Sequence, residues 1–124
     1  MVDRLKARWW FAPLAIFLAT RVVTTAIFLV AAWYQDVNYW TGAHPDYFSF
    51  LNIWDVEWYE RIFTGGYPAL LPENLDGTVQ QNNWAFYPVF PYLIRGLNVI
   101  TGLQWKYLAP IVATLIGFLF ILVV

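Results

Sequence analysis

Trp9-Trp10-Phe11-Ala12-Pro13-Leu14-Ala15-Ile16-Phe17-Leu18-Ala19-Thr20-Arg21-Val22-Val23-Thr24-Thr25-Ala26-Ile27-Phe28-Leu29-Val30-Ala31-Ala32-Trp33-Tyr34 carries a single charge, Arg21, along its whole length. A run of this length crosses a hydrocarbon core of about 30 Å with some tilt. Arg4, Lys6 and Arg8 precede it, a basic start that secretory signal peptides share. Its apolar part is too long for a signal peptide, and Trp33-Tyr34 reads as an interfacial aromatic belt, not a small-residue cleavage site.

Working outward, two further stretches read as spans. Residues 84–103 contain Pro88, Pro91, Arg95 and Asn98, and residues 107–124 are still apolar at Val124. The fold class expected is therefore all-α and integral to a membrane, with three transmembrane helices. The last span looks incomplete, as though it belonged to a larger bundle. Composition agrees: 60% of the residues are hydrophobic, 12% charged and 21% aromatic, a balance foreign to soluble domains of this size. Cysteine is absent, which excludes disulfides and thiolate metal sites. With a net charge of -1 and no basic surface, nucleic acid is not an expected partner; the lipid bilayer is.

Basic residues set the expected topology. Arg4, Lys6 and Arg8 place residues 1–8 in the cytoplasm, and Arg95 and Lys106 place the turn after the second span there too. Residues 35–83 then lie outside, carrying Asp36, Asp46, Asp55, Glu57, Glu60, Glu73 and Asp76 against Arg61 alone. The chain end heads outward.

Within that loop, residues 54–64 predict a short amphipathic helix lying in the interface, stopped by Gly65-Gly66. At about 100° per residue, Trp54, Trp58, Ile62 and Tyr59 share a stripe, with Asp55 in its middle. Glu57 and Glu60 point away, and Arg61 stands at pairing distance from Glu57. A carboxylate amid aromatics either caps its own helix or is held dry to accept a proton or hydrogen bond from a polar substrate. Arg21 has two readings as well. It pairs with an acid on a later helix, or it meets an anion such as a lipid phosphate. His44 is the lone histidine, so a histidine metal site is not expected, and any divalent-metal requirement is open.

Trp54-Asp55, Trp58-Tyr59, Ile62 and Gly66-Tyr67, followed by Phe86-Tyr87-Pro88-Val89-Phe90-Pro91, resemble the signature of PIG-V-like mannosyltransferases. These are membrane glycosyltransferases of the GT-C fold that use lipid-phosphate sugars. The resemblance implies a first helix leading into a large extracytoplasmic loop with membrane-parallel helices, and many later spans. It implies Asp55 as general base, and Arg21, Trp54, Trp58, Tyr59, Tyr67 and Tyr87 around the substrate. Many relatives carry a histidine or another polar residue where Trp58 stands. The implied donor is a polyprenyl-phosphate hexose, with mannose the first expectation, and the location is a bacterial plasma membrane. The acceptor is a glycan, glycolipid or protein hydroxyl. A transporter, a non-catalytic membrane subunit and an inactive truncated copy are the alternatives.

Overall fold

A predominantly apolar run without an interior glycine forms the continuous helix α1 (Phe11–Trp33). The computed structural model describes residues 9–123; the basic segment 1–8 and Val124 lie outside the described residues. Three shorter elements follow in the connecting region: α2 (Tyr47–Leu51), α3 (Val56–Gly65) and a single 3-10 turn at Asn83–Ala85. Then come α4 (Val89–Thr101) and the long α5 (Trp105–Val123). The architecture is an all-α bundle.

Two of these helices, α1 and α5, are long and apolar enough to cross a membrane. Their 23 and 19 residues correspond to about 35 Å and about 28 Å of axis, against a hydrocarbon core of about 30 Å. Side chains such as Ile16, Val22 and Val30 stand on the outside, where water would leave a large unpaid apolar surface and lipid would not.

The expected second span over residues 84–103 is corrected. Its helical part is α4, with 13 residues, only about 20 Å long. Pro88 holds the N-cap position, and buried Pro91 lies in the first turn, where its missing N–H goes unnoticed. Gly102 ends the helix in a left-handed conformation at φ 70°, its N–H donating to the Asn98 carbonyl at 2.8 Å.

The core sits among α3, α4 and the first half of α5, not between the two long helices. Ile94, Trp105, Leu108, Ala109 and Val112 are buried there, with Val56, Tyr59, Phe63, Phe90 and Leu97 packed against them. Ile62 of α3 is fully buried as well.

Packing also decides the relative direction of the long helices. Phe17, early in α1, meets Phe118, late in α5, with ring centroids 5.6 Å apart. At the other end Phe28 of α1 meets Phe50 of α2 at 5.7 Å, and Phe48 of α2 meets Tyr107 of α5 at 5.1 Å. The long helices are therefore antiparallel, and residues 34–104 all lie at one end of the pair. Lys106, expected at the opposite side from residues 35–83, pairs with Asp46 of that segment: its Nζ lies 2.8 Å from Asp46 Oδ2. Were both long helices to cross a bilayer, their antiparallel packing would return α5 toward the side from which α1 came.

The absence of native cysteine makes this testable directly. Single-cysteine variants at Asp76 and Gln104 should react with an impermeant maleimide from the same side of sealed vesicles. Labelling from opposite sides would restore the three-span topology.

Candidate functional site

Proline inside a helix leaves the carbonyl four residues back without its donor. In α5 that proline is Pro110, and the carbonyl belongs to Lys106. Asn52, the residue that closes α2, fills the gap: its Nδ2 donates to the Lys106 carbonyl at 3.1 Å and to the Phe48 carbonyl at 2.8 Å. The Asp46 carboxylate, at the N-cap of α2, accepts from Ser49 N and Ser49 Oγ and pairs with Lys106 Nζ. These bonds hold its pKa well below the ordinary carboxylate range, the Lys106 contact being the largest influence and the two Ser49 bonds next. Two independent ties thus pin α2 to the head of α5.

Pinned in this way, α2 props α1 away from α5 and leaves a groove of about 700 Å³, within the usual range of ligand sites. One wall is α1, through Arg21, Thr24, Thr25 and Phe28; the other is α5, through Trp105, Ala109, Ala113 and Leu115. Tyr47 and Asn52 of α2, with Val56 and Tyr59 of α3, close its upper end. The Thr25 and Tyr47 hydroxyls are 3.3 Å apart, while Thr24 bonds back to the Thr20 carbonyl at 2.7 Å. Two buried polar atoms in the lining residues lack any partner among the described residues: Asn52 Oδ1 and Trp105 Nε1.

The implied site residues divide. Arg21 and Tyr59 line the groove. Arg21 lies over the Phe17 ring at 5.3 Å and makes no ion pair among the described residues. Trp58 and Tyr59 pack on Phe86, Trp58 stacked at 13° and Tyr59 edge-on, so this aromatic pair serves the joint between α3 and the 3-10 turn. Tyr67 donates to the Phe86 carbonyl at 2.7 Å; desolvation, then neighbouring Tyr92 and Tyr59, push its phenol pKa upward. Tyr87 is 83% exposed and lies outside the groove.

Asp55 corrects the expectation of a dry carboxylate. It is exposed, does not line the groove, and holds the N-cap position of α3 without a side-chain capping bond. The reason lies one residue earlier. Trp54 adopts φ 63°, a left-handed conformation rare for a bulky residue, worth about 1–3 kcal/mol of strain. Helical spacing begins after it, so the stripe does not extend back through Trp54 and Asp55. The face that turns inward holds Val56, Tyr59, Ile62 and Phe63. Trp54 instead stacks on Trp40, at 5.8 Å and 8°. Asp55 immediately precedes Val56, so its backbone stands about 3.8 Å along the chain from a lining residue. The Glu57–Arg61 pair forms on the outer face as expected, with Arg61 also lying 4.6 Å from the Trp58 ring.

Sequence reading missed Asn52, Trp105, Thr25 and Tyr47. Pro110 was the available signal, since an interior proline announces that some donor must reach the Lys106 carbonyl. Among the described residues no group of three histidine, cysteine, aspartate or glutamate side chains is placed to hold a metal ion.

Asn52→Ala should lower stability by about 1–3 kcal/mol through the unpaired Lys106 carbonyl, read as a lower unfolding temperature in lipid nanodiscs. Asp46→Asn removes the second tie, and its effect should depend on pH. Because folding depresses the Asp46 pKa, its contribution is complete above the unfolded value of about 3.9. It disappears as pH falls from there through the folded value. The gap in unfolding temperature between wild type and Asp46→Asn should therefore be widest near neutrality and close in acid. Comparison with protein-family models, curated proteins and solved structures finds no match to this chain.

Proposed function

We propose that the protein acts in glycosyl transfer at a membrane surface, taking a hexose, with mannose the first choice, from a polyprenyl-phosphate donor. The observation that carries this reading is the groove between two membrane-length helices, with a cation on its wall that has no ion pair among the described residues and a carboxylate-bearing loop above it. A prenyl chain suits the apolar walls, and Arg21 supplies positive charge for the phosphate at little desolvation cost once paired. Residues 34–104 would form the extracytoplasmic cover, with α3 and α4 as short helices along the membrane surface.

In this mechanism an acceptor hydroxyl attacks the anomeric carbon and Asp55 takes its proton as general base. The new glycosidic bond forms as the bond from the anomeric carbon to the phosphate oxygen breaks. The electron pair leaves with the phosphate, and configuration inverts. Arg21 steadies the charge that develops on the departing phosphate. The activated donor supplies the driving force, so no nucleotide site is needed.

A second reading has a specific observation in its favour. Asp55 lies outside the groove and is exposed, as it would be in a transporter or non-catalytic membrane subunit whose groove merely holds lipid.

Membranes containing the protein, supplied with radiolabelled polyprenyl-phosphate mannose, separate the readings. Transfer should fall at least 100-fold, on the order of the gain usual for a general base, in Asp55→Asn at matched expression. Equal transfer by both proteins would remove Asp55 from the chemistry. Absence of transfer with any prenyl donor or acceptor would favour the subunit or transporter.

A further inference from the structure

Backbone strain at an exposed position raises the question of what the strained residue presents. Trp54 holds its left-handed conformation, φ 63°, and yet its side chain is 67% exposed. Burial is therefore not what keeps it there. Its ring lies flat on Trp40 in an offset stack, at 5.8 Å and 8°. Trp40 is fixed in turn by Asn38, whose Oδ1 accepts from Trp40 N and Thr41 N while its Nδ2 donates to Thr41 Oγ1. Two separate segments of the loop are thus locked so that their indoles form one rigid shelf, and both rings remain exposed.

The chemistry beside the shelf narrows what it can hold. Asp55 follows Trp54 directly, with its Cα about 3.8 Å away. It is exposed and makes no ion pair among the described residues. A lipid phosphate would meet that carboxylate with like charge, and a tryptophan that merely anchors at an interface needs no strained backbone. A quaternary ammonium is held by several rings standing around it. Here the two tryptophans are parallel, and Tyr39 alone stands across, at 84° to Trp40. A pyranose ring suits both features. Its C–H face is attracted to the negative face of an indole, and the hydroxyls on its rim can donate to a carboxylate.

We propose that the Trp40–Trp54 shelf and Asp55 form a binding site for a neutral saccharide, the sugar ring lying on the Trp54 indole. The site is distinct from the groove, whose lining includes none of these three residues. Saccharide binding stands on this geometry alone. Its role in the reaction rests on the glycosyl-transfer reading: the shelf then seats the acceptor next to the proposed base, so the acceptor hydroxyl belongs to a glycan and not to a protein side chain.

The test is saturation transfer from the full chain, held in nanodiscs of deuterated neutral lipid, to the methyl glycosides of mannose, glucose and galactose. Saturation should reach the ring C–H protons of at least one glycoside, most strongly on one face. Trp54→Gly should weaken that binding at least tenfold, about 1.4 kcal/mol. Glycine takes a positive φ without strain, so this variant keeps its fold, and its unfolding temperature checks that separately. Trp54→Tyr, which retains an aromatic face, should bind more tightly than Trp54→Gly. Trp40→Leu should weaken binding by removing the support beneath Trp54.

No transfer to any of the three glycosides overturns the proposal and leaves the pair as interfacial anchors. Transfer that Trp54→Gly leaves unchanged overturns it as well. Choline is the rival probe: binding that depends on Trp54 and is tighter than that of every glycoside would make the shelf a cation site instead. No prenyl donor enters the measurement. Failure of glycosyl transfer therefore leaves a positive result standing, and transfer without saccharide binding at Trp54 rejects the shelf alone.

Discussion

An unsatisfied carbonyl inside a helix organises this molecule. Pro110 removes the donor that the Lys106 carbonyl would have had in a regular helix. Asn52 supplies the missing bond from another element, and Asp46 reinforces it on the Lys106 ammonium. The connecting region is thereby held to the head of α5, while Phe48 against Tyr107 and Phe28 against Phe50 carry the constraint across to α1. The antiparallel sense of the long helices, the one-sided placement of residues 34–104 and the groove all follow from this joint.

The distribution of packing fits such an arrangement. Hydrophobic burial is concentrated where α3 and α4 meet the first half of α5, around Ile62, Ile94 and Trp105. Toward the far ends, α1 and α5 meet around Phe17, Gly117 and Phe118, leaving most of their apolar surface outward. In water this would be a poor bargain. In lipid, outward hydrocarbon carries no penalty, and helix association depends on local packing and polar ties. Polar ties are what the upper end supplies.

Of the candidate site, sequence reading reached Arg21 and Tyr59, because a cation in an apolar run and an aromatic at helical spacing are both visible without coordinates. It misplaced Asp55, since periodicity assumes an unbroken helix and Trp54 breaks it with a left-handed backbone. It also counted residues 84–103 as a span on hydropathy, where Pro88 and Gly102 confine the helix to a length too short to cross. Asn52 and Trp105 were silent: their significance lies in which bonds they fail to make, and that depends on neighbours distant in the chain.

Local chemistry along the chain was enough for the two long apolar helices, the short amphipathic helix with its glycine stop, the Glu57–Arg61 pair and the likeness of a membrane protein. Each of these depends on residues within a few positions of one another, or on a continuous run of hydrocarbon. Tertiary structure alone decided the direction of α5, the side on which α4 lies, the groove and the exposure of Asp55. The deciding contacts, Asn52 to Lys106 and Asp46 to Lys106, join residues more than fifty positions apart. Charge rules that read the chain locally assigned Lys106 to a topology signal, whereas folding used it as the partner of Asp46.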